Sequence, residues 1–91
     1  MTYLLCRNRV LNYQRWQAEF TSHADAHRSA GLIFLNLWRS VDDPDNVFFM
    51  FEVARIDRAR EFIDNPESAR AGESAGVVDG EYYFIEDAGG Y

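Results

Sequence analysis

The stretch LIFLNLWRSVDDPDNVFFMFEV, residues 32–53, decides the fold. Two apolar runs, Leu32–Ser40 and Val47–Val53, flank DDPDN at Asp42–Asn46. Proline fixes one dihedral there, and Asp and Asn side chains satisfy nearby backbone, so the segment reads as a β-hairpin. The odd positions Ile33, Leu35, Leu37, Phe49, Phe51 and Val53 are wholly apolar and suit a face covered by helices. The even positions Phe34, Asn36, Trp38, Phe48, Met50 and Glu52 are still mainly apolar. In water they form a patch larger than a soluble monomer normally shows. Burying each large side chain gains roughly 1.5–3 kcal/mol. The expected cover is a second copy of the chain, sheet against sheet about a two-fold axis, with Arg7 and Glu52 pairing across or around the seam.

Working outward, Tyr3–Val10 reads as the first strand, with Leu4, Cys6 and Val10 on one side and Leu5, Arg7 and Arg9 on the other. Asn12 offers an N-cap oxygen. Tyr13, Trp16, Phe20, His23 and His27 then recur at steps of three and four, a helical stripe about four turns long. Gly31 stops it. Beyond the hairpin, Asp57 is the expected cap of a second helix carrying Ala59, Phe62 and Ile63. Pro66 after Asn65 breaks or restarts that helix, and the restart carries Ala69 and Ala71 and ends near Gly72 to Gly76. Tyr82–Glu86 is the last strand expected.

The order is βαββαβ. Right-handed crossovers turn it into a ferredoxin-like α+β fold, an antiparallel sheet with two helices on one face. Residues 1–87 are expected to form this single domain and residues 88–91 a flexible tail.

Composition narrows the chemistry. With 91 residues, the chain buries only roughly 60–65% of its unfolded surface, which makes oligomerisation a common remedy. Cys6 is the only cysteine, so disulfides and multi-cysteine zinc knuckles are excluded and a reducing cytosol fits. The net charge is −6 and no basic run exists, which argues against nucleic acid and anionic membranes as partners. No stretch is apolar enough to cross a bilayer, and MTYLLCRNRV lacks a signal-peptide layout. A cytoplasmic protein is expected. There is no lysine, so Schiff-base and pyridoxal-phosphate chemistry are ruled out. No G-x-G-x-x-G or P-loop appears, which argues against a self-contained nucleotide site.

YLLCRNRV, YQRWQAEFTSHADAHRSAG, the DDPDN hairpin, FEV, DRAREFIDNPES and YYFIED together resemble the dimeric α+β barrel superfamily. The nearest branch is the antibiotic-biosynthesis-monooxygenase-like set of small proteins. The resemblance spans nearly the whole chain and implies a homodimer whose two sheets pack into a barrel. It further implies a pocket in each protomer between sheet and helices. Members include cofactor-free monooxygenases acting on activated aromatics, haem-degrading oxygenases and isomerases. The staphylococcal-type haem-degrading enzymes use a strand asparagine with a tryptophan and a histidine on the second helix. Here Asn8 matches the asparagine, but Phe62 stands at the tryptophan and ARAGE around Gly72 lacks the histidine. Without that axial ligand the haem reading loses its basis. No cofactor is expected.

HADAH, residues 23–27, carries the site question. His23 and His27 at i, i+4 share a helix face, a real metal-ligand spacing. Asp25 turns away from that face, and a catalytic zinc wants a third protein ligand, so no metal is expected. As a general base, His23 can take a proton from a phenol or activated carbon acid at neutral pH. In a cofactor-free oxygenase the resulting carbanion reacts with dioxygen, the substrate supplying the electrons. Asn8 would orient the substrate's oxygen, with Tyr13, Trp16, Phe20, His27 and Phe62 walling the pocket. The plainer reading makes His23 a hydrogen-bonded member of the core stripe and His27 a residue near the helix end. The function expected is thus a pocket for a small aromatic or polyketide-like molecule, with cofactor-independent monooxygenase chemistry leading. The alternatives are a non-catalytic ligand-binding or interaction module, and an isomerase or cyclase using the same pocket.

Overall fold

A computed structural model describes residues 1–90. The elements run β1 (Thr2–Val10), α1 (Tyr13–Ser22), α2 (Ala24–Ser29), β2 (Leu32–Arg39), β3 (Asn46–Val53), α3 (Ile56–Asp64), α4 (Pro66–Ser74) and β4 (Val77–Glu86). The strands form one sheet in the order β2-β3-β1-β4, every neighbour antiparallel. This is the ferredoxin-like α+β arrangement expected from the hairpin. Leu4, Val47, Phe49 and Phe51 share the covered face and pack with Trp16 of α1 and Ala59 of α3. The opposite face has no layer over it. No helix among the described residues is long and apolar enough to cross a membrane. The expected tail, residues 88–91, includes Tyr91, which lies outside the described residues.

The hairpin departs from strict alternation at one place. Leu32, Ile33 and Phe34 stand opposite Val53, Glu52 and Phe51, but Asn36, Leu37 and Trp38 stand opposite Met50, Phe49 and Phe48. Leu35 is therefore the extra residue of a β-bulge. The bulge reverses the faces upstream of it. Phe34 joins the helix-covered side, 5.8 Å from the Phe20 ring and 6.0 Å from Phe51, and is not on the open face as expected. Ile33, opposite Glu52, takes the open face instead. Four consecutive apolar residues, LIFL, give no alternation to pin a register, so tertiary packing set it. Past the bulge the expected assignment is the one observed: Asn36, Trp38, Phe48 and Met50 share the open face, and Leu37 and Phe49 the covered one.

The first helix is two helices. Ser22 Oγ donates to the Glu19 carbonyl at 2.6 Å, and His23 Nδ1 lies 2.7 Å from the same oxygen. Side chains that compete for a helix carbonyl disrupt the ladder, and His23 sits at the junction as the C-cap of α1 and N-cap of α2. Asn12 caps α1 by accepting from the Arg15 N–H at 3.0 Å. Gly31, with φ +76°, ends α2 in the left-handed conformation that glycine adopts without penalty.

Asp57 is not the cap of α3. Arg55 holds that position, and Asp57 lies in the first turn, where the helix dipole favours a carboxylate. Asn65 caps α4 by accepting from the Glu67 N–H at 2.9 Å, with Pro66 at the helix start. β4 begins at Val77, five residues before the expected Tyr82, because Asp79, Gly80 and Glu81 pair with Arg9, Asn8 and Arg7 of β1. Within one chain Arg7 has partners other than Glu52. Its guanidinium donates to Glu81 at 2.7 Å, Asp79 at 2.8 Å and Asn46 Oδ1 at 2.8 Å.

Candidate functional site

Between the covered face of the sheet and the helices lies a cavity of about 780 Å³. β1 contributes Leu4, Cys6 and Asn8 to its wall, α1 contributes Trp16 and Phe20, and α3 contributes Phe62. His23 at the helix junction and His27 on α2 complete it. The aromatic side forms a continuous cluster: Trp16 stacks on Phe20 at 4.7 Å, and Phe20 meets Phe49 edge-on and His27 at a tilt, both at 5.0 Å. Trp16, Phe20 and His27 of the helical stripe thus meet at one wall, and Phe62 reaches it from α3. Tyr13 does not line this cavity. It stacks on the outer side of Trp16 at 6.1 Å and carries the Arg39 guanidinium 3.8 Å above its ring. The i, i+3 step from Tyr13 to Trp16 put them on one stripe, but Tyr13, the first residue of α1, lies beyond the cavity's edge.

The histidines differ in their bonding. A carbonyl oxygen only accepts, so the contact from His23 Nδ1 to the Glu19 carbonyl at 2.7 Å assigns the proton to Nδ1. In the neutral ring Nε2 then holds a lone pair. His27 is packed among Phe20, Phe51 and Phe62 at ring distances of 5.0, 5.1 and 5.7 Å. Burial, and secondarily the charge His23 can carry, push its pKa down to about 4, so it is neutral at pH 7. Asp25 is turned outward and paired with Arg28. Among the described residues no third His, Cys, Asp or Glu joins the two histidines in a metal-binding group. Burial pushes the Cys6 thiol up to about 12, which removes its thiolate at neutral pH.

Asn8 lines the cavity but its amide is engaged. In the orientation that satisfies both ends, its oxygen accepts from Trp16 Nε1 at 3.2 Å and its nitrogen donates to the Arg7 carbonyl at 3.0 Å. Asn8 is thus a brace for the buried indole. Gly80, its partner on β4, makes room for it. A Cβ there would stand 2.6 Å from the Asn8 amide and 2.8 Å from the Arg7 carbonyl. Sequence reasoning missed Gly80 and the rest of the β4 extension. A glycine inside a strand signals a close approach, but the weak strand propensity of VVDGE hid the strand itself. It also missed a second cavity of about 530 Å³, between α1–α2 and β2, which shares Phe20 and His27 with the first.

Two broken helices, α1–α2 and α3–α4, cover one face of a β2-β3-β1-β4 sheet with a cavity beneath them, a fold shared with solved antibiotic biosynthesis monooxygenase-like proteins. Solved structures show the likeness over nearly the whole chain. SnoaB from Streptomyces nogalater, described as a cofactor-independent oxygenase and solved as a mutant, is 14% identical, with 98% of this chain and 94% of that chain covered and a TM-score of 0.75. An antibiotic biosynthesis monooxygenase-like protein from Bordetella bronchiseptica is 11% identical, with 96% of each chain covered and a TM-score of 0.76. Another, from Deinococcus radiodurans, is 12% identical over 100% of this chain and 96% of that chain, with a TM-score of 0.69. At these identities the likeness is one of fold. No protein-family model and no curated protein sequence matches the chain.

Proposed function

We propose that this protein is a cytoplasmic homodimer that binds a small aromatic or polyketide-like molecule in the main cavity and oxidises it without a cofactor. The observation that carries the reading is the state of His23. Its Nδ1–H is committed to the Glu19 carbonyl, so Nε2 is a base at the wall of an aromatic-lined cavity. SnoaB, described as a cofactor-independent oxygenase, is built on the same fold, which supports the reaction class. In an anthrone-like substrate, Nε2 would remove a proton from the activated CH2, and the carbanion would react with dioxygen. The carbon ends as a carbonyl, and both hydrogens leave with the second oxygen atom as water. The substrate supplies every electron, so no reductant is needed. The aromatic wall of Trp16, Phe20 and Phe62 holds the flat substrate and excludes water.

The bare sheet face supports the dimer. Leu5, Phe48, Met50, Trp38, Ile33 and Tyr83 lie on it, with Trp38, Ile33 and Tyr83 exposed. Covering them sheet to sheet would remove an apolar patch that a monomer leaves in water.

Oxygen uptake with 1,8-dihydroxyanthrone tests the chemistry. The wild-type protein is expected to consume oxygen above the buffer rate, and His23→Ala to lose at least about 10²-fold, the usual weight of a general base. Uptake unchanged in His23→Ala overturns the assigned base. Turnover that persists without oxygen points to an isomerase or cyclase. Retained binding with no turnover points to a non-catalytic ligand-binding module.

A further inference from the structure

Phe20, Phe51 and Phe62 surround the His27 ring, a nest that an all-carbon ring would fill at lower cost, since an imidazole gives up hydrogen bonds to water on entering it. Among the described residues His27 has only main-chain hydrogen bonds, and no hydrogen bond is among the causes of its lowered pKa. No side-chain nitrogen is both sealed from solvent and unbonded, so the unbonded His27 nitrogens keep some access, and His27 lines both cavities. His23 is the contrast, with Nδ1 held by its own helix.

We infer that His27 is the recognition group of the main cavity, an imidazole that hydrogen-bonds the phenolic or carbonyl oxygen of a flat, neutral aromatic ligand lying against Phe20 and Phe62. A neutral ring carries one N–H and one lone pair, so it can donate to a carbonyl or accept from a phenol. The inference rests on the cavity being a ligand site, and it divides the labour: His23 moves the proton and His27 selects for oxygen. An apolar ligand of the same shape would leave the His27 nitrogens unpaired and bind less well.

Calorimetric titration of the full chain with 1-naphthol and with naphthalene separates these terms, alongside ¹⁵N spectra of the two imidazoles. The wild-type protein is expected to prefer 1-naphthol by about tenfold, the weight of one hydrogen bond, and the His27 nitrogen signals are expected to move with 1-naphthol and not with naphthalene. His27→Phe keeps a flat ring and is expected to bind both probes alike; His27→Gln, which retains a donor and an acceptor, is expected to recover part of the preference. A preference that survives in His27→Phe, or His27 signals that ignore 1-naphthol, overturns the inference and leaves the cavity's ligand role intact. Binding of neither probe by the wild-type protein defeats both.

Discussion

On its covered face the sheet presents Leu4, Phe49 and Phe51, all nearly sealed from solvent; on its open face Trp38 keeps 44% of its surface, Ile33 48% and Tyr83 54%. Both faces are built from large apolar side chains. What differs is how each treats its polar members. Beneath the helices Asn8 is tied to the indole of Trp16 and His23 to the Glu19 carbonyl, while His27 keeps its nitrogens free beside the cavity. On the open face Arg7 is fully spoken for by Glu81, Asp79 and Asn46 within the same chain. With Arg7 already paired within the chain, an apolar partner on this face would not strand its charge. Under the proposed function the covered side of the sheet carries the chemistry and the open side the association.

The largest effect expected from breaking this division is Trp16→Ala. Trp16 is 2% exposed and holds together the ring stack and the Asn8 brace. Its truncation should cost about 3–5 kcal/mol in urea unfolding; a loss below about 1 kcal/mol would mean that the covered face is not organised around it. Next comes Trp38→Glu on the open face. Sedimentation should show dimer association weakened by about 2–4 kcal/mol, the range of an interface hot spot, with oxygen uptake per chain retained. A variant that sediments like the wild-type chain removes this face from the interface.

Gly80→Ala sharpens the comparison where the two faces share β4. The added methyl must displace the Asn8 amide or the Arg7 carbonyl, at a cost of about 1–3 kcal/mol. Trp16 fluorescence should shift as its Nε1 partner moves; an unshifted spectrum at full stability would show that the brace is dispensable. The smallest effect is in pH. The folded pKa of His27 is about 4 against an ordinary value of 6.5, so the unfolded chain binds the proton more readily between those values. Stability is therefore complete above about pH 6.5 and falls as pH drops toward 4, by about 1–2 kcal/mol after solvent screening. Unfolding of wild-type and His27→Phe chains at pH 7 and pH 4 isolates this contribution. Equal pH dependence in the two would show that His27 is not held neutral.

Much of this was legible in residues 32–53. The DDPDN turn and the apolar runs around it gave the hairpin, and the two-residue strand period together with Glu52 assigned Phe49, Phe51 and Val53 to the covered side, where they are buried. Spacing along one helix likewise brought Trp16, Phe20 and His27 to one wall. Tyr13 failed because periodicity gives an angle around a helix and not the place along it where a cavity ends. Phe34 changed faces because of the bulge at Leu35, and the acidic partners of Arg7, more than 70 residues away in β4, were out of reach of local reasoning.

The sequence by itself determined the order of elements, the turn, the caps at Asn12 and Gly31, and the two-faced apolar hairpin, because these follow from local backbone preferences and side-chain period. Only the tertiary structure decided the bulge at Leu35, the junction at His23, the β1–β4 register that saturates Arg7, and the volume left beneath the helices. Each of those is settled by which groups meet across the fold, where a carbonyl, a ring or a guanidinium finds its partner at long range and local propensity gives way.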